Sequence, residues 1–224
     1  MVKASVNCSS LHSPSEFRFL QIWCYFCVGF LSWASVSVAQ VAVTTETHEM
    51  VRVLVTYHSL TGSTEKMAMG VVEGAKSVPG TEVTVKRVGD VTAEELFESD
   101  ALIVGSPVYW SNMSGEVKTF FDNWQFKFGV FPEFKMQNKV GAAFATGGQV
   151  SSGKEVTMLT ILAAMLGNKM IIVSEGGAFG ASATTEGHSP GIDRQELTDA
   201  QTLGKRVAEV AWMIKRGTSE SIKE

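Results

Sequence analysis

Four hydroxyl side chains fall within six residues in the stretch His58-Ser59-Leu60-Thr61-Gly62-Ser63-Thr64. They are Ser59, Thr61, Ser63 and Thr64, and an amphipathic segment begins at Ser63. They therefore surround a helix N-terminus, where unpaired backbone N–H groups and the helix dipole favour an anion. Serine and threonine are also preferred as simple caps there, but one cap needs one hydroxyl. The surplus points to a phosphate cradled by Ser59, Leu60, Thr61, Gly62, Ser63 and Thr64. A second stretch, Gly148-Gln149-Val150-Ser151-Ser152-Gly153-Lys154, fits the G-x-x-x-x-G-K pattern of a P-loop-like nucleotide hydrolase. The next residue is Glu155 where magnesium needs Ser or Thr, and Ile171-Ile172-Val173 leads to Ser174 where a second acidic strand end is needed. A capping box from Ser152 to Glu155 is the plainer expectation, so a hydrolase is a remote alternative. No Cys/His constellation suggests a metal. Gly180-Ala181-Ser182-Ala183-Thr184 fails the nucleophile-elbow pattern at its last position. His58 and His188 are the candidates for proton delivery, although a lone loop histidine is commonly just solvated.

Short β-branched runs alternate with amphipathic stretches from Met50 onward. Strands are expected at Val51–Tyr57, Glu82–Val88, Ala101–Gly105, Lys139–Thr146 and Lys169–Ser174. The runs Ala101-Leu102-Ile103-Val104 and Met170-Ile171-Ile172-Val173 are apolar throughout, as suits strands buried on both faces. Helices are expected at Ser63–Ser77, from Thr92 (a capping box with Glu95), at Glu116–Phe126, along Val156, Leu159, Leu162, Ala163 and Leu166, and at Arg194–Arg216 with Gly217 ending it. Gly70 and Gly74 in the first helix would allow close approach to a sheet. Five strands with intervening helices imply a three-layer, doubly wound α/β fold. Ligands bind such sheets at the carboxyl ends of the strands.

The Ser-x-Thr-Gly-x-Thr loop resembles the phosphate-binding loop of flavodoxins, which hold FMN. Gly105-Ser106-Pro107-Val108-Tyr109-Trp110-Ser111-Asn112-Met113-Ser114-Gly115 resembles the second flavin loop of WrbA-type NAD(P)H:quinone oxidoreductases. Thr146-Gly147-Gly148-Gln149 is similar to their third loop, though shorter, and Phe179-Gly180-Ala181-Ser182 sits where they have Tyr-Gly-Ala-Thr. The likeness covers Met50 to about Gly217 and extends to NADPH-dependent FMN reductases. It implies a flavodoxin-like, five-stranded parallel sheet in the order 2-1-3-4-5 with helices on both faces. It also implies FMN as cofactor, NADH or NADPH as co-substrate and a quinone-like small-molecule acceptor. Pro107, Val108, Tyr109, Trp110 and Asn112 would then cover the flavin ring, and Thr146, Gly147 and Gly148 would approach its polar edge. The family further implies a homodimer or homotetramer. Trp124, Phe126, Phe128, Phe131 and Phe134 could line an acceptor pocket, form a subunit interface, or pack helix on sheet. A flavodoxin-type electron carrier is the alternative reading.

The net charge is −4, with 17 basic and 20 acidic residues from Met50 onward. So mild a balance lacks the basic footprint of nucleic-acid binding, and it is milder than the acidity that steers electron carriers to partners. All three cysteines (Cys8, Cys24, Cys27) precede Met50, and no charge occurs from Phe19 to Thr45. Residues 1–49 read as a signal-peptide-like or non-native extension, residues 50–217 as the FMN-binding domain, and residues 218–224 as a polar tail. A start at Met50 would make the protein cytoplasmic. A signal peptide over residues 1–39 would export it, and no stable membrane insertion of the core is expected.

Overall fold

A computed structural model describes residues 50–186 and 191–221. His188 and the extension at residues 1–49 lie outside the described residues. The strands are β1 (Val51–Tyr57), β2 (Thr81–Arg87), β3 (Ala101–Tyr109), β4 (Asn112–Met113), β5 (Val140–Gly147), β6 (Ile171–Ile172) and β7 (Ala181–Thr184). The helices are α1 (Ser63–Lys76), α2 (Ala93–Glu98), α3 (Gly115–Phe126), α4 (Lys154–Gly167) and α5 (Arg194–Ser221). The parallel sheet runs β2-β1-β3-β5, and β6 and β7 both pair with β5 at the far edge. This is the 2-1-3-4-5 order with its last strand in two pieces.

Alternation along the buried strands explains the three layers. Val51, Val53, Val55, Ala101 and Ile103 face α1 and α5. Leu54, Leu102, Val104, Ala143 and Ala145 face α3 and α4. The α1 residues Met67, Val71 and Ala75 are fully buried, as their spacing predicts. Burying each of the larger ones contributes about 1.5–3 kcal/mol.

Several expectations need correction. The strand over Lys169–Ser174 is only Ile171–Ile172, and pairing with β5 resumes at Ala181. Between them Gly176 (φ 74) and Gly180 (φ 128) adopt conformations that end regular pairing. Gly70 and Gly74 open α1 to α5 and not to the sheet. A Cβ at Gly74 would run into the Gln201 backbone, and one at Gly204 into the Val71 carbonyl, so the two helices meet through backbone. Helix α4 buries Lys154, Thr157, Met158, Ile161, Leu162 and Met165 and leaves Val156, Leu159 and Leu166 exposed. It is apolar nearly all round, so periodicity alone does not select its inner face. The expected capping box at Ser152 is absent: the N-cap is Gly153 and no side chain caps it. The box at Thr92 and Glu95 is present in full. Finally, α5 continues through Gly217, with Thr218 bonded back to the Ile214 carbonyl.

Candidate functional site

Three loops converge at the carboxyl ends of β1, β3 and β5, where the chain order reverses. The first, His58–Gly62, leads into α1. Gly62 takes a left-handed conformation (φ 95) as N-cap, so no side chain caps the helix. Capping therefore does not explain the four hydroxyls. Ser59 is buried, and its Oγ accepts a bond from the Gly62 N–H at 3.1 Å, which closes the turn. Arg87 holds the same turn by donating to the Ser59 carbonyl at 2.7 Å and pairing with Glu65 at 3.0 Å. Leu60 and Thr61 are exposed at the apex, while Ser63 and Thr64 are buried.

The first loop is fastened to the other two. The His58 N–H donates to the Gly105 carbonyl at 3.2 Å. Thr64 Oγ1 and Thr146 Oγ1, both buried, lie 2.8 Å apart and join the first loop to the third. The expected strand end at Gly105 is passed, because Ser106 and Pro107 still pair with Ala145 and Thr146. The chain then turns back in a hairpin, with Val108 opposite Met113 and Tyr109 opposite Asn112. Both turn residues, Trp110 (φ 52) and Ser111 (φ 60), are left-handed. That is the geometry of a two-residue hairpin built without glycine, at about 1–2 kcal/mol per residue. It holds Trp110 out fully exposed.

Ser106, Ser114 and Thr160, which were not among the expected site residues, brace this hairpin together with Asn112. Ser106 Oγ accepts from the Ser114 N–H at 2.9 Å. Asn112 Oδ1 accepts from Thr160 of α4 at 3.0 Å, so this side chain ties the hairpin to α4. A Cβ at Gly153 would stand 2.7 Å from the Ser111 Cβ, so the hairpin tip rests on the start of α4. The one legible signal was Gly153, hidden inside the phosphate-loop pattern.

In the third loop Thr146 and Gly147 are buried and Gly148 is exposed, with open space where its side chain would be. The Gly147 carbonyl accepts from the Thr185 N–H at 2.8 Å. Lys154 is buried, with its ammonium on the Gln149 and Val150 carbonyls and the Thr184 hydroxyl. It is folded into its own loop and does not reach outward as a hydrolase lysine must.

His58 Nδ1 lies 3.0 Å from Ser114 Oγ, the cap of α3, and 3.4 Å from Glu116. Its ring meets Tyr109 edge-on at 6.0 Å. Burial, and then the Glu116 carboxylate, push the Tyr109 hydroxyl above the usual phenol range. His58 also lines a cavity of about 620 Å³, whose walls mix apolar Val88, Val91 and Phe128 with charged Arg87, Asp90 and Lys127. Of the five aromatics in the last turn of α3 and the segment leading to β5, Phe128 reaches this cavity. Trp124 is buried core, Phe131 meets Phe134 edge-on, and Phe126 is exposed.

Neutral hydroxyls and a left-handed glycine at a helix start, beside a buried threonine pair and an aromatic hairpin, fit a phosphorylated planar ring. The NADPH-dependent FMN reductase family matches residues 84–185. A flavodoxin from Clostridium saccharobutylicum is 33% identical over 70% of this chain and 95% of its own length. An NAD(P)H dehydrogenase (quinone) from Archaeoglobus fulgidus is 34% identical over 72% of this chain and 98% of its own. The crystal structure of a WrbA-like flavodoxin from Agrobacterium tumefaciens has a TM-score of 0.62 at 26% identity, over 73% of this chain and 98% of that one. With three loops of this kind on a sheet of this order, the chain belongs to the flavodoxin-like superfamily, in its WrbA and FMN-reductase type.

Proposed function

We propose that the chain is an FMN-dependent NAD(P)H oxidoreductase that reduces quinones by two-electron, ping-pong hydride transfer. An oxidoreductase flavoenzyme using FMN with NAD(P)H as electron donor is what its family provides. The observation that carries it is the 2.8 Å Thr64–Thr146 bond, which brings the phosphate-type loop and the glycine loop to one place.

Bound FMN supplies the hydride-accepting and hydride-donating ring. The chain's residues bind and orient it. Thr61, Ser63 and Thr64, with the backbone N–H groups opening α1, would hold the phosphate, and Ser59 keeps the turn closed. Pro107, Val108, Tyr109 and Trp110 would cover the ring, with Asn112 bracing the hairpin. Thr146, Gly147 and Gly148 would meet the polar edge. His58, held by Ser114 and Glu116, stands where it could pass a proton to an acceptor in the cavity lined by Phe120 and Phe128. That space joins apolar side chains (Val88, Val91, Phe128) to polar ones (Arg87, Glu116, Lys127), a lining that suits a flat acceptor carrying carbonyl oxygens. The exposed Val156, Leu159 and Leu166 of α4 support a homodimer or homotetramer.

The test is NADH and NADPH oxidation by the FMN-loaded full chain with benzoquinone. Catalytic turnover with either donor is expected. FMN that reduces chemically but accepts nothing from either nicotinamide would instead support the second reading, an electron carrier, which the flavodoxin relative favours. Among the described residues no helix is long and apolar enough to cross a membrane.

A further inference from the structure

Lys154 is the part of the phosphate-loop pattern that the flavin reading leaves unexplained. It is 5% exposed. Its three N–H donors are matched by three neutral acceptors: the Gln149 carbonyl at 3.2 Å, the Val150 carbonyl at 3.3 Å and Thr184 Oγ1 at 2.5 Å. Among the described residues no carboxylate pairs with it. It is also the first residue of α4, at the positive end of that helix. A buried cation with no carboxylate in ion-pair contact among the described residues, Glu196 accepting instead from the Thr184 N–H at 2.6 Å, is a costly arrangement against a helix dipole. An apolar side chain could fill the same space, so what the ammonium adds is its three hydrogen bonds and its charge. The Lys154 stem lies against Gly147, where a Cβ would stand 3.1 Å from the Lys154 Cγ, and its ammonium is on Thr184, the strand partner of Gly147.

We propose that Lys154 is a built-in counter-charge for reduced flavin, raising the reduction potential of FMN held against the third loop. This rests on the FMN reading given above. Hydride from the nicotinamide brings two electrons and one proton to a neutral ring, and the donor leaves oxidised. At neutral pH the reduced ring then carries one negative charge. Charge beside the ring is the protein's means of tuning its electronics. Lys154 touches no reacting atom, and is a positioning residue acting through its field and through the loop it fastens.

The potential of FMN bound to the full chain, measured against redox dyes, tests this alongside the affinity for oxidised FMN. Two variants remove the net charge in different ways. Lys154→Met deletes it. Thr184→Asp keeps the lysine and its bond but pairs it with a carboxylate, and so decides the matter where Lys154→Met does not fold. Each should lower the reduced-to-oxidised ratio at fixed potential about tenfold, equivalent to about 30 mV for a two-electron couple. A purely structural lysine would weaken oxidised-FMN affinity in Lys154→Met and leave both potentials in place. Unmoved potentials in variants that bind FMN overturn this inference alone. A wild-type chain that takes up no FMN overturns the flavin reading and this inference with it.

Discussion

Two helices that face the carboxyl edge of the sheet start on a left-handed glycine, Gly62 (φ 95) for α1 and Gly153 (φ 91) for α4, and no side chain caps either one. Beyond that they diverge. The start of α1 is ringed by neutral hydroxyls, with Thr61 exposed and Gly62 open to space. The start of α4 is filled by its own Lys154 and roofed by Ser111. A third start, that of α2, is closed by its own Thr92 and Glu95. Similar left-handed caps thus open one helix onto a ring of hydroxyls and spend the other on holding a hairpin and a loop. Motif matching cannot separate the two, because the pattern with the lysine is the better textual match to a phosphate loop and the worse physical one.

The comparison breaks most directly at α1. Thr61→Ala combined with Thr64→Ala should remove two hydrogen bonds to a charged group, about 3–6 kcal/mol, or roughly 10²–10⁴-fold in FMN affinity by fluorescence titration. Unchanged affinity would mean that the hydroxyls serve another end. Gly153→Ala comes next. It adds left-handed strain and a collision with Ser111, together about 2–5 kcal/mol, read as a fall in the urea midpoint. Gly62→Ala has the same kind of strain but free space around it, so about 1–2 kcal/mol is expected. Equal losses at the two glycines would erase the distinction drawn between the helix starts.

The smallest effect belongs to α2, where Thr92→Ala should cost about 1 kcal/mol and leave FMN affinity unchanged. The same cap has a pH signature. The Lys86 hydrogen bond first, and then the Thr92 backbone N–H, hold the Glu95 carboxyl below the usual range. Its contribution is therefore present above the ordinary carboxylate pKa and is lost as pH falls through the lowered value. In an acid titration of stability, Glu95→Gln should flatten that segment. An unaltered profile would remove Glu95 from the cap's energetics.

What was legible in the sequence followed how local its cause is. Strand β1 ends at Tyr57 as read, because an apolar run meets a polar loop. The hydroxyl loop was visible because Ser59, Thr61, Ser63 and Thr64 are adjacent in the chain. The loops' convergence was inferable from topology, but the Thr64–Thr146 bond joins residues 82 apart and has no local trace. Strand β3 was read four residues short, because its last part is held by β5 and by the hairpin and not by its own apolar pattern. The inner face of α4 was misread because Val156, Leu159 and Leu166 are as apolar as the residues it buries. The small-residue contact of Gly70 and Gly74 was recognised as close approach, but its partner, α5, begins some 120 residues away. Lys154 was set aside with its motif, since only the fold shows that it is buried.

The account's central claim is that the hydroxyl-ringed start of α1 receives the flavin's phosphate. The most direct test compares FMN with riboflavin, which has the same ring and no phosphate, by fluorescence titration of the full chain. FMN is expected to bind at least about 100-fold more tightly, as about 3 kcal/mol of charge-assisted hydrogen bonding requires. Equal affinity for the two flavins would contradict the claim.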